Sequence, residues 1–275
     1  MHNRFSSPSL TNCRFSGNQA GGIGGGMENY NSSPELTNCS VLGNQASGGG
    51  GVSNSQASSP RFNNCSFSGN RAANLGGAVW NISQSNPTFT NCLIYDNQSG
   101  NSTNSTSASV ADIAYSNSTY SYSLIHNITT GTSNNNLDGS LNPLFVDPLN
   151  PAAAPTTAGD LRLQAGSPAI DAGDNIANMT AVDQAGNPRI TDGDGNGSDL
   201  IDLGAYEAPD IPFCTPNAIP DPTNDPLTWT GAVNSAWNEG CNWSSELVPD
   251  ADNPVTIPTG TSNAPALQPN TTYAA

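Results

Sequence analysis

The stretch SPSLTNC at 7–13 returns as SPELTNC at 33–39, SPRFNNC at 59–65 and NPTFTNC at 86–92. Its cysteines fall at Cys13, Cys39, Cys65 and Cys92, in steps of 26, 26 and 27 residues. A second phrase follows each copy: RFSGN, SVLGN, SFSGN and LIYDN. Between copies runs a third: GGGMEN at 24–29, GGGVSN at 49–54 and GGAVWN at 76–81. Three sub-motifs recurring in one order at a fixed period mark a solenoid, each period forming one turn.

The apolar pieces are short, β-branched or aromatic, and bounded by Gly, Asn or Pro, with no sustained 3.6-residue period. Each turn therefore holds three short strands, and stacked turns form parallel sheets with strands about 4.8 Å apart. This predicts an all-β fold, a right-handed parallel β-helix of about 26 residues per rung. Strand alternation points Leu10, Leu36, Phe62 and Phe89 inward, then Phe15, Val41, Phe67 and Ile94, with Met27, Val52 and Val79 on the third side. Asn12, Asn38, Asn64 and Asn91 occupy a corner where Asn tolerates left-handed backbone and can bond amide to amide up the stack. Asn18, Asn44, Asn70 and Asn97 predict a second ladder. SVADIAYS (109–116) and SYSLIHN (121–127) echo the strands as a degenerate fifth rung, with Ser123 where Cys stood.

Composition narrows the function. Charged residues are 10% of the 275, against about 25% in typical domains. All six basic residues are Arg, at 4, 14, 61, 71, 162 and 189, and the net charge is −16. Nucleic acid and anionic lipid would be repelled, which excludes them as partners. No run of 18 apolar residues is present, so no membrane span is expected. The polar content is Asn, Ser, Thr and Gly, suited to turns and an extracellular surface. An export signal and earlier rungs are expected outside this sequence.

The GG[AG]-V and F-x-x-N phrases resemble the repeats of polymorphic outer-membrane and autotransporter passenger proteins. NPLFVDP (142–148), GDLRLQAGSPAIDAG (159–173), DQAGNPRI (183–190) and DLGAYE (202–207) resemble the end of the bacterial choice-of-anchor Q β-helix proteins. The resemblance covers about residues 5–208 and implies a secreted or surface-attached bacterial β-helix. The expected organisation is rungs over 1–140, a C-terminal cap with an acidic loop over 141–208, a Pro/Asp-rich linker over 209–226, and an incomplete β-rich module over 227–275.

Few residues invite chemistry. The four-Cys rank forms a row, not the tetrahedron that zinc needs, and no CxxC pair exists, so the rank is expected as a buried core ladder. Parallel Cβ vectors fit a disulfide poorly. Cys214 and Cys241 are left over, either bridging the linker to the last module or free. The loop TDGDGNGSDLID (191–202) offers Asp192, Asp194, Asn196, Asp199 and Asp202. Alternating oxygen ligands around a tight turn suit Ca²⁺, though Leu203 stands where an EF-hand has Glu; an ion-free Gly/Asp turn is the other reading.

A polysaccharide lyase needs a base and cations, and a glycosidase needs two facing carboxylates. Lys is absent, Arg14 and Arg61 are out of register, and His126, Asp96 and Asp112 belong to no repeated acid pair. Asp171 and Asp174 fit a structural turn equally well. A flat Thr rank for ice binding is interrupted by Glu35 and Arg61. The expected function is therefore a non-catalytic, structural or adhesive stalk or passenger on a bacterial surface. Its partners would be carbohydrate or a neighbouring cell surface, and its exposed end rungs would invite self-association into filaments. A pectate-lyase-like enzyme is the alternative.

Overall fold

A computed structural model describes residues 1–100, 110–112, 116–126, 133–178, 180–210, 227–228 and 255–257. The repeat coils as a three-sided parallel solenoid. The first face stacks His2–Arg4, Met27–Tyr30, Val52–Ser55, Val79–Asn81 and Val110–Asp112. The second stacks Ser9–Thr11, Glu35–Thr37, Arg61–Asn63, Thr88–Thr90 and Thr119–Ser121. The third stacks Arg14–Ser16, Ser40–Leu42, Ser66–Ser68, Leu93–Tyr95 and Leu124–Ile125. A short fourth ladder joins Gln45–Ala46, Arg71–Ala72 and Gln98–Ser99. The described residues contain no α-helix.

Register is continuous, so equivalent side chains pile over one another. Leu10, Leu36, Phe62, Phe89 and Tyr120 are successive partners on the second face. Phe15, Val41, Phe67, Ile94 and Ile125 are partners on the third. Met27, Val52, Val79 and Val110 complete the core from the first. Phe62 stacks on Phe89 at 4.9 Å between centroids, Phe89 on Tyr120 at 5.3 Å, and Phe67 meets Phe62 edge-on. Each buried Phe stabilises the coil by roughly 2–3 kcal/mol of transfer free energy.

Three asparagine ladders stitch the coil, two at corners and one within the strands of the first face. Asn12, Asn38, Asn64 and Asn91 all have φ between 50° and 55°. Each Nδ2 donates to the preceding rung's Oδ1: Asn38 to Asn12 at 3.2 Å, Asn64 to Asn38 at 3.2 Å, Asn91 to Asn64 at 3.0 Å. The second ladder runs the other way, Asn18 to Asn44, Asn44 to Asn70 and Asn70 to Asn97 at 2.8–2.9 Å. A third, which the sequence reading did not single out, links Asn3, Asn29, Asn54 and Asn81 and ends on the Ser118 hydroxyl.

The segment expected to cap the coil lies along its flank instead. The reason is a second apolar rank. Leu42, Leu93 and Leu124 point outward from the third face and are fully buried beneath Phe145, Leu149, Leu161, Ala169 and Leu203. A strand apolar on both sides must be covered on both sides. Phe145–Asp147 and Asp160–Leu163 pair antiparallel within this cover. Gly43 and Gly69 have φ of 60° and 67° and lie against it; a Cβ on Gly43 would collide with the Thr156 carbonyl, and one on Gly69 with Leu149. Residues 174–178 and 180–184 then run back along the Asn12–Asn91 corner. Asp174 N–H donates to Asn91 Oδ1 at 2.8 Å, Asn64 Nδ2 to Asn178 Oδ1 at 3.3 Å, Asn38 Nδ2 to the Val182 carbonyl at 2.7 Å, and Gln184 Nε2 to the Cys13 carbonyl at 2.8 Å.

Compactness divides the chain into 1–193 with 199–209, and 194–198 with 210–275. Among its described residues the second unit has the parallel pair Leu227–Thr228 with Val255–Thr256. Cys214, Cys241 and nearly all of the expected linker at 209–226 lie outside the described residues.

Candidate functional site

A groove of about 700 Å³ lies over the second face. Alternation builds its floor: with Leu36, Phe62 and Phe89 turned inward, their neighbours Glu35, Arg61, Asn63, Thr88 and Thr90 face out. Thr119 and Ser121 extend the floor by one rung. Thr90 and Ser121 share a hydroxyl hydrogen bond at 3.1 Å. The wall is the turn Asn175–Ala177, fixed because Asp174 accepts from the Ile176 N–H at 3.0 Å. That cap holds Ile176 out at 95% exposure. Glu35 is the one carboxylate among the described lining residues, and Arg61 is its register partner on the next rung. The outward side chains of the floor are thus hydroxyl and amide with one charge of each sign, and Phe89 and Tyr120 line the groove beside them.

His126 and Asp96 sit elsewhere, at the end of the third face. His126 Nδ1 lies 3.5 Å from Asp96 Oδ1, and its ring stacks on Tyr95 at 4.2 Å. Burial raises the Asp96 carboxyl, with His126 opposing. Burial and the Asp96 charge raise the Tyr95 hydroxyl. None of the three lines the groove. The side chain of Asp112 lies outside the described residues.

The Cys rank forms a column inside the coil. Cys39, Cys65 and Cys92 are fully buried, Cys13 half-buried, and all four are free thiols. Their S–H groups donate to carbonyls, Cys65 to Leu36 at 3.5 Å and Cys92 to Phe62 at 3.3 Å. The Cys92 N–H donates to Ser123 Oγ at 3.0 Å, so Ser123 takes the next place in the column. Burial pushes the Cys13 and Cys65 thiols up, as does the Cys65 hydrogen bond with burial at Cys39. High-pKa buried thiols are poor nucleophiles.

The acidic loop residues part company. Asp202 is fully buried, and its carboxylate accepts from the Asp171 N–H at 2.8 Å and the Ala208 N–H at 2.6 Å. Asp199 is exposed, and its carbonyl accepts from Asn175 Nδ2 at 2.9 Å. Asp192 is buried and offers a carboxylate oxygen within 4.8 Å of one on Asp171. Asp194 and Asn196 belong to the second unit, where Asn196 donates to both Asp194 oxygens, at 3.0 and 2.9 Å.

The sequence reading missed a buried charge network in the flank. Arg189 is 1% exposed and donates to the Gly204 and Asp202 carbonyls at 3.1 and 3.0 Å. Its Nε lies 3.4 Å from Glu207 Oε2. Glu207 Oε1 accepts from the Asp202 N–H, and Asp183 Oδ2 accepts from the Glu207 N–H at 2.9 Å. Burial, then the Asp202 charge, raise Glu207 to about 9, against Arg189. Burial raises Asp202 to about 6. One hint was available: an Arg in so uncharged a chain, next to Pro188 and among phrases without repeat character.

The description "Right handed beta helix region" matches residues 3–141. No curated protein and no solved structure matches the chain. With five rungs in continuous parallel register and half of its length matched, the chain belongs to the right-handed β-helix family.

Proposed function

We propose that this β-helix is an exported structural or adhesive scaffold on a bacterial surface, presenting its second face to carbohydrate without turning it over. One observation carries this reading: the groove floor is a rank of hydroxyls and amides on which Glu35 is the lone carboxylate among the described lining residues. Sugar hydroxyls are matched by such groups, whereas glycoside hydrolysis uses two facing carboxylates. Asn ladders and a covered flank keep that face in fixed register, which suits recognition of an extended repeating chain. Calcium is part of the proposal, at Asp171 and Asp192, where two carboxylates converge.

The test is binding and turnover measured together on neutral and uronate polysaccharides. Retention without released reducing ends or unsaturated uronate is expected, and Arg61→Ala should weaken it. Steady product formation would overturn the reading. A carbohydrate-active enzyme is the second reading, and it draws on the Asp96–His126 pair; product formation abolished by Asp96→Asn would establish it.

A further inference from the structure

The wall of the groove carries an apolar side chain that folding alone does not require. Ile176 is the most exposed large hydrophobic among the described residues, at 95%, and it lines the groove beside Ala177. The turn that holds it out is clamped. The Asp174 N–H donates to Asn91 Oδ1 at 2.8 Å, and Asn91 Nδ2 donates back to the Asp174 carbonyl at 3.1 Å. Asn175 Nδ2 donates to the Asp199 carbonyl at 2.9 Å, and Asn175 Oδ1 accepts from the Ile201 N–H at 2.8 Å. Beyond the turn, Asn178 Oδ1 accepts from Asn64 Nδ2. These anchors set Ile176 between the third rung, at Asn64, and the fourth, at Asn91. A side chain kept out of contact by a fixed backbone is preorganised for a ligand, because little ordering remains to be done on binding.

The groove beneath offers a different chemistry. Thr88 and Thr119 are exposed hydroxyls in register on successive rungs. Asn134 Nδ2 donates to the Tyr120 carbonyl at 3.3 Å, so its Oδ1 remains to accept from a ligand N–H. Glu35 and Arg61 give the described lining no net charge, while the whole chain carries −16. A polyanion charged at every sugar would gain one guanidinium and meet a repulsive field. A neutral chain is free of that repulsion.

We propose that the groove takes a neutral, β-1,4-linked polysaccharide of acetamido sugars, with an acetamido methyl packed on Ile176. The inference rests on the carbohydrate reading above and narrows it to one substrate class. The acetamido group joins in one neutral substituent a methyl for Ile176, a carbonyl for the Thr88 or Thr119 hydroxyl, and an N–H for Asn134 Oδ1. The floor repeats at each rung, about 4.8 Å. A β-1,4-linked pyranose advances by nearly that length and turns over at each linkage. Alternate acetamido groups therefore point to the wall, and one of them meets Ile176.

Isothermal titration calorimetry of the full chain with two tetrasaccharides tests this. One is β-1,4-linked N-acetylglucosamine and the other β-1,4-linked glucose; both are uncharged and differ only in the acetamido group on each sugar. The acetylated oligomer is expected to bind about tenfold tighter, the gain of one buried methyl and one hydrogen bond. Ile176→Ser should remove that preference and leave the affinity for the glucose oligomer in place, while Ile176→Val should keep most of it. Replacing so exposed a side chain removes no packing, and an unchanged melting curve checks this. Equal affinity for the two oligomers, or a preference that survives Ile176→Ser, overturns the acetamido inference while carbohydrate binding stands. Binding of neither oligomer also overturns it, and if uronate chains are not retained either, the carbohydrate reading falls with it.

Discussion

Asn70→Ala tests whether the amide ladders hold the rungs together. Asn70 is fully buried and uses its whole side chain. Its Oδ1 accepts from the Asn44 backbone N–H at 3.0 Å and from Asn44 Nδ2 at 2.9 Å. Its Nδ2 donates to the Val41 carbonyl and to Asn97 Oδ1, each at 2.8 Å. At a net worth of about 1 kcal/mol per bond, truncation costs about 4 kcal/mol, and buried partners left unpaired push this higher. The solenoid transmits stability only between neighbouring rungs, so the loss falls in the middle of the array. Asn18→Ala is the internal control. Asn18 is exposed and its side chain makes one ladder bond, to Asn44, so the expected loss is about 1 kcal/mol or less. Urea unfolding at constant m-value measures both. Losses of similar size at Asn18 and Asn70, or a loss at Asn70 below about 1 kcal/mol, would refute the ladder as a source of stability.

Three further outcomes are expected. Stability should fall as pH rises from about 5 to 9, because Glu207, raised to about 9 from an ordinary 4.5, keeps its proton when folded and loses it when unfolded. Its stabilising contribution is complete below its unfolded value and is lost as pH climbs through the folded one; Glu207→Gln should flatten the slope of urea midpoint against pH. In a chain with Cys214 and Cys241 changed to Ser, a thiol reagent should label Cys13 slowly and Cys39, Cys65 and Cys92 only on unfolding, and rapid labelling of all four would contradict the buried column. Calcium should raise the melting temperature in proportion to the logarithm of its concentration, by the linkage that yields about 2.7 kcal/mol at a hundredfold excess over the dissociation constant; Asp192→Asn should abolish the shift, and an unresponsive parent protein would remove calcium from the proposal.

The rungs were legible because each strand sits next to its own copy about 26 residues away. Periodicity of that kind writes the contact map into the sequence: Cys13 over Cys39, Asn12 over Asn38, Leu10 over Leu36. Alternation then settled which residues face the core and which form the groove floor, Glu35 and Arg61 included. Even the degenerate rung was visible, with Ser123 at the Cys position.

The flank was not legible in that way. Asn91 meets Asp174 at a separation of 83 residues, Asn38 meets Val182 at 144, and Ser66 Oγ receives the Ala205 N–H at 139. These contacts recur nowhere in the chain, so no period announces them. Leu42 and Leu93 look like ordinary strand residues until something must cover their outer side, and the placement of residues 141–208 beside the coil follows from that need. The same packing gathers Arg189, Asp183, Asp202 and Glu207 out of water, and it draws Asp202 from the acidic loop into backbone hydrogen bonds. Repetition alone determined the coil, its register and its inward ranks, because each copy needs only its neighbour to bury its apolar side. The tertiary structure decided where the aperiodic chain lies, since that depends on which outer surface is left apolar once the coil has formed.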